Sequence, residues 1–161
     1  MALFNNNSFL KYDDYATPLN TWLDIKKFIP NNKKIWAPFY LDGSQKKMFL
    51  KMGFEIYHEK KDFFEYEPEN YDLIIDNPPF DNKKDVLIRL KNLDKPFIII
   101  LPSSTINTGF FRNIFKNQIQ IIIPKKRINF IKDGKKETNR CNFDCFYYCY
   151  KMNLKDDIMW I

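Results

Sequence analysis

Tyr71-Asp72-Leu73-Ile74-Ile75-Asp76-Asn77-Pro78-Pro79-Phe80 is the stretch on which the reading of the whole chain turns. Leu73 to Ile75 is an apolar, β-branched run with no charge until Asp76, which predicts a buried strand. Pro78 and Pro79 lack an N–H and have a fixed φ, so the backbone there neither joins a sheet nor coils into a helix. A strand that runs into such a rigid, polar turn presents its carbonyls and the Asn77 side chain in one preset geometry. Asn77 and the Pro78 carbonyl are acceptors, and Phe80 offers a flat face. That combination suits the holding of a planar amino group.

Upstream, Thr17 reads as the N-cap and Pro18 as the first residue of a helix. Leu19, Trp22 and Leu23 follow at helical spacing, carrying the helix to about Phe28, and Pro30 closes it. Ile35 and Trp36 begin a strand that stops at Pro38. Phe39-Tyr40-Leu41-Asp42-Gly43 is a turn. Ser44 reads as the cap of a helix that carries Met48, Phe49 and Met52 inward and ends at Gly53. Phe54 to His58 is a second strand, with His58 expected at the surface.

Downstream of Phe80, Asp81 or Asn82 caps a helix whose Val86, Leu87, Leu90 and Leu93 share a face. Further strands are predicted at Phe97–Leu101, Ile119–Ile123 and Phe143–Tyr150, with a short helix around Phe110–Phe115. Residues 1–14 read as loosely ordered and 153–161 as a tail. Strands that alternate with helices predict a mostly parallel sheet with helices on both faces. Right-handed crossovers place every strand's C-terminal end on one edge. Asp42, Glu59, Asp62 and Asn77 all follow strands, so all are expected at that edge, where α/β proteins bind ligands.

The 161 residues carry a formal charge of +6, which suits a polyanionic partner. They read as a single domain. No apolar run is long enough for a membrane span, and no signal peptide is recognisable. The cysteines, Cys141, Cys145 and Cys149, are odd in number, which predicts reduced thiols and a cytoplasmic setting. Cys145, Tyr147 and Cys149 share one face of a straight strand, which does not wrap a metal, so no metal site is expected. The Asn, Lys, Ile and Phe bias suggests an AT-rich genome; in a virus the setting would be the interior of the host cell.

Asp76-Asn77-Pro78-Pro79-Phe80 resembles the catalytic motif of S-adenosylmethionine-dependent amino-methyltransferases, (D/N/S)-P-P-(Y/F/W) in that family. The chain is most similar to the phage and viral type that methylates N6 of adenine in DNA. The resemblance covers roughly Tyr15 to Lys151 and implies a Rossmann-like, class I methyltransferase fold with an antiparallel C-terminal strand. It implies that Asn77 and the Pro78 carbonyl hold the adenine amino group, that Asp76 supports the turn or the cofactor side, that Pro79 belongs to the catalytic motif, and that Phe80 stacks on an everted base.

The same resemblance assigns a cofactor side. Ala16, Thr17 and Pro18 lie in a motif similar to the family's Tyr-x-Thr-Pro-x-x-x-Trp. Pro38, Phe39 and Gly43 match the first cofactor motif, in which Ala37 stands for the usual acid and Leu41 for the first glycine. There Asp42 and the Gly43 backbone meet the methionine end of S-adenosylmethionine. Glu59 is expected on the ribose. Asp62 and Phe63 resemble the adenine-contacting pair. Arg127-Ile128-Asn129-Phe130 resembles a late motif whose aromatic lines the target-base pocket.

The segment from Lys125 to Arg140 contains Lys125, Lys126, Arg127, Lys132, Lys135, Lys136 and Arg140. It leaves a strand at the cofactor edge, where incoming phosphates would arrive, so it is expected to bind DNA or RNA. The chain has no room for a separate target-recognition domain, which predicts low specificity, recognition through the basic loop, or a partner subunit for sequence recognition. Three alternatives stay open: an RNA adenine methyltransferase, a protein glutamine methyltransferase, and a non-catalytic pseudo-methyltransferase that serves as a binding or assembly subunit.

Overall fold

A computed structural model describes residues 15–132, 135–136 and 144–161. Its centre is a seven-stranded sheet of β2 (Lys34–Trp36), β3 (Glu55–Tyr57), β4 (Leu73–Asp76), β5 (Phe97–Pro102), β6 (Ile119–Ile123), β9 (Cys145–Tyr150) and β10 (Ile158–Trp160), in the order β10-β6-β9-β5-β4-β2-β3. All neighbours pair parallel except β9, which lies antiparallel between β5 and β6. The expected Rossmann-like architecture is therefore the one observed: mostly parallel, with a reversed strand from late in the chain.

Period-two alternation sends neighbouring residues to opposite faces. Ile75, Ile98, Ile100, Tyr147 and Cys149 pack on one face with Trp22 and Phe49, from α1 (Leu19–Leu23) and α2 (Ser44–Lys51). Ile74, Phe97, Ile99, Tyr148 and Tyr150 pack on the other with Val86, Leu87 and Leu90 from α3 (Lys83–Leu93) and Phe111 and Phe115 from α4 (Gly109–Phe115). The sheet is thus covered on both faces. Cys145 and Cys149 are buried on the face they share with Tyr147.

Several local expectations shift. Pro18, not Thr17, is the N-cap of α1, and it contributes no side-chain hydrogen bond. The helix ends at Leu23, which is 42% exposed, and a separate 3-10 turn covers Lys26–Phe28. The carbonyl of Thr21 accepts a hydrogen bond from Tyr147 Oη at 2.7 Å, which ties α1 to β9. The 153–161 segment is not merely a tail: Ile158–Trp160 pairs in register with Ile121–Ile123. A second, small sheet joins β1 (Tyr15–Ala16) to the hairpin of β7 (Ile131–Lys132) and β8 (Lys135–Lys136). No helix among the described residues is long and apolar enough to cross a membrane.

Candidate active site

The site is built at the C-terminal ends of β2, β3 and β4. Asp76 closes β4 and is only 1% exposed. Its carboxylate accepts hydrogen bonds from the Phe39 amide at 2.6 Å and the Asn77 amide at 2.8 Å. One side chain thereby fastens the loop after β2 to the turn after β4. Burial pushes the Asp76 carboxyl well above the usual carboxylate range, against the pull of the two amide donors. Gln45, on α2, adds a second fastening: its Nε2 donates to the Ile75 carbonyl at 3.0 Å.

Asn77 Nδ2 donates to Thr17 Oγ1 at 3.1 Å. Thr17 is therefore a support for the turn and not a helix cap. Asn77 Oδ1 is buried and accepts no hydrogen bond among the described residues. An amide oxygen withdrawn from water without a donor costs free energy, and such a group in a rigid turn is suited to receive a ligand N–H. Pro78 and Pro79 are buried beneath the turn. Phe80 is half-buried, and its ring meets that of Phe130 edge-on, with centroids 6.4 Å apart. Phe130 itself is 2% exposed. Phe80 of the turn and Phe130 of the later segment are thus brought together.

After β2, the Gly43 amide donates to the Tyr40 carbonyl at 2.8 Å and closes a tight turn. Leu41 has φ 47°, a left-handed conformation that glycine adopts without a Cβ penalty. The turn keeps a glycine-like backbone where the glycine itself is replaced. Gly43 has φ +77°, and a Cβ there would lie 2.6 Å from Tyr40 Oη. Gly43, not Ser44, is the N-cap of α2, and just before it Asp42 Oδ1 accepts from the Ser44 amide at 3.0 Å and the Ser44 hydroxyl at 2.6 Å. Gly43→Ala is expected to cost about 1–2 kcal/mol, because alanine must hold a left-handed φ. Tyr40 can turn away, so removing its ring should not restore the loss. Urea unfolding of the single variant and of the variant combined with Tyr40→Ala measures both; wild-type stability in the single variant would refute this.

Between this turn and β3 lies His58. His58 was expected at the surface but is 3% exposed, because it sits at the end of β3 beneath the Tyr40 ring, with centroids 5.0 Å apart. Burial lowers its pKa. The neutral ring donates from Nδ1 to the Ala37 carbonyl at 2.8 Å, and Nε2 is a buried acceptor without a partner.

Glu59, next along, is exposed; it pairs with Lys61 at 3.3 Å and accepts from Tyr66 Oη at 3.1 Å. The Lys61 hydrogen bond holds its carboxyl below the usual range. Asp62 Oδ1 accepts from the Phe64 amide at 2.8 Å. Phe63 departs from expectation: its ring is packed inward against Trp36 and Phe39, with the Arg89 guanidinium over it, and is 4% exposed. Its face is therefore not displayed to a ligand. Phe64, half-buried, is the neighbouring aromatic.

In the basic segment, Lys125 and Lys126 are exposed. Arg127 Nε is instead engaged with Asp144 at 2.7 Å, in a pair exposed on both sides. Lys135 and Lys136 lie on β8, antiparallel to β7; their side chains, and Arg140 entirely, lie outside the described residues. Ala16 pairs with Ile131. The hairpin is therefore joined through β1 to Thr17, and through Thr17 to Asn77.

No protein-family profile matches this chain, and no curated protein matches it in sequence. Among solved structures, a candidate methyltransferase from Thermoplasma acidophilum is similar at 10% identity and a TM-score of 0.45, over 91% of this chain and 69% of that one. TrmN from Thermus thermophilus is similar at 10% identity and a TM-score of 0.38, over 82% of this chain and 47% of that one. The chain thus spans about half the length of TrmN.

Proposed function

We propose that this protein transfers a methyl group from S-adenosylmethionine to the exocyclic amino group of adenine in DNA. The observation that carries the reading is Asn77 Oδ1, a buried acceptor without a donor, in an Asn-Pro-Pro-Phe turn fixed by Thr17 and Asp76. The adenine nitrogen is a poor nucleophile because its lone pair is delocalised into the ring. Asn77 Oδ1 and the Pro78 carbonyl each accept one amino hydrogen, which favours a more tetrahedral nitrogen as attack begins. Asn77 is held by its own hydrogen bonds, so little reorganisation is needed. The proton can leave to solvent after transfer, so no strong general base is required.

The residues at the same edge fit an adenosyl group. His58 Nε2 is a buried acceptor with no partner among the described residues, and Glu59 and Asp62 offer carboxylate acceptors just after β3. Bound there, S-adenosylmethionine would supply a methyl group on a positively charged sulfur. Glu59 or His58 would accept from ribose hydroxyls, and Asp62 from the cofactor's amino group. Half-buried Phe80 would line the seat of the everted base, with the buried Phe130 ring packed behind it.

The test is incubation with isotopically labelled S-adenosylmethionine and matched DNA and RNA oligonucleotides, followed by mass spectrometry of the nucleosides. Labelled N6-methyladenine in DNA is expected. Label in RNA alone, or cofactor binding with no transfer, would overturn the reading. The nucleic-acid partner has its own test. Replacing Lys125 and Lys126 by alanine should flatten the dependence of log affinity on log salt by up to about two units and weaken all sequences alike. Unchanged slopes would remove these lysines from the phosphate contacts.

A further inference from the structure

β10 is the outermost strand of the large sheet, and among the described residues its only strand neighbour is β6. The Asp157 carbonyl accepts from the Ile121 amide at 2.8 Å, and the Ile161 amide donates to the Ile123 carbonyl at 3.2 Å. Backbone polar groups alternate in direction along a strand. Residues 157, 159 and 161 therefore face β6, while the N–H and C=O groups of Ile158 and Trp160 point away from the sheet.

The side chains alternate as well. Met159 and Ile161 pack onto the face covered by α1 and α2. Ile158 aligns with Ile121 and Trp160 with Ile123, on the opposite face. There Ile158 is 57% exposed and Trp160 78% exposed. Edge strands are usually protected by charge, proline or a covering element. Ile158-Met159-Trp160 carries no charge and no proline.

We propose that β10 is a self-association edge, at which two copies of this chain pair antiparallel through Ile158–Trp160 and continue the sheet across a two-fold axis. The second copy is the occupant that the register selects. In an antiparallel pair centred on Met159, Ile158 of each copy lies opposite Trp160 of the other. Both residues direct N–H and C=O outward, so every outward group finds a partner. The axis runs perpendicular to the sheet, so both copies show the same face, and Ile158 and Trp160 form two aromatic–β-branched cross-strand pairs. A foreign strand could also hydrogen-bond here, but nothing would fix its register. Three residues of strand bury little surface, so the association belongs to the weak class.

Sedimentation equilibrium of the full chain, from micromolar to about millimolar concentration, tests this. A monomer–dimer equilibrium is expected, and monomer at every concentration overturns it. Trp160→Lys and Ile158→Lys should each raise the dimer dissociation constant about tenfold or more. Dimerisation unchanged in both overturns it too. Both side chains are exposed, so the variants should melt like wild type. Should either fail to fold, wild-type fluorescence suffices. Trp22 and Trp36 are buried, so acrylamide quenching follows Trp160 and should fall as the dimer forms. A dimer with undiminished quenching would place the interface elsewhere.

Discussion

Asn77→Ala should lower methyl transfer to adenine by about two to three powers of ten, equivalent to about 3–4 kcal/mol of lost transition-state stabilisation. Its effect on S-adenosylmethionine affinity should stay within a few-fold. Asn77 does two things, and alanine removes both. Its Nδ2 holds Thr17, and its Oδ1 is the free acceptor. The first is one hydrogen bond, partly exposed, with a small effect on stability. The second acts only when an amino group is present, and most strongly as that nitrogen pyramidalises. The loss should therefore fall on kcat more than on cofactor binding. Asn77→Asp keeps an acceptor in place and should retain more activity than alanine. Single-turnover rates and calorimetry with the cofactor measure the two arms. Near wild-type turnover in the alanine variant would remove Asn77 from the chemistry.

The large sheet was legible because each central strand is an apolar run whose alternation survives in the burial. Ile74 and Ile75 go to opposite faces, as do Phe97 and Ile98. The shape of the Asn77–Phe80 turn was legible because two prolines leave the backbone little choice. What stayed hidden depended on partners distant in sequence. β1 is two residues long, and nothing local says that Tyr15 and Ala16 meet Lys132 and Ile131. β10 reads as a short apolar end until β6 is known to run beside it. His58 precedes Glu59-Lys60-Lys61, so its neighbours in sequence announce solvent; Tyr40 and Ala37 bury it from another loop. Phe63 was placed on a ligand because an acid precedes it, but Trp36, Phe39 and Arg89 claim its ring. Arg127 counted as a free cation until Asp144 was found beside it.

Asp76 should separate from Asn77 in both stability and function. Its carboxylate accepts the Phe39 and Asn77 amides together, so it holds the loop after β2 against the turn after β4. Asp76→Ala leaves two amide donors without an acceptor and should cost about 2–4 kcal/mol, after allowing for the buried charge that is no longer carried. Cofactor affinity and turnover should fall together, whereas Asn77→Ala lowers turnover alone. The pH dependence supplies a second signature. Burial raises the folded-state pKa of Asp76, so between the ordinary aspartate range and that raised value the folded protein binds more protons than the unfolded chain. Stability contributed by this group is then fully present below the ordinary aspartate pKa and is lost as pH rises through the folded value. The slope is at most about 1.4 kcal/mol per pH unit. Asp76→Asn cannot titrate and should lose that slope, while its single amide oxygen satisfies one of the two donors and leaves it between wild type and alanine in stability. Urea unfolding of the three proteins across a pH series measures this. Parallel wild-type and Asp76→Asn curves would mean that the carboxylate keeps its charge in the folded state, with the two amides compensating for burial. Retained cofactor affinity in Asp76→Ala would mean that the loop after β2 keeps its place without the clamp.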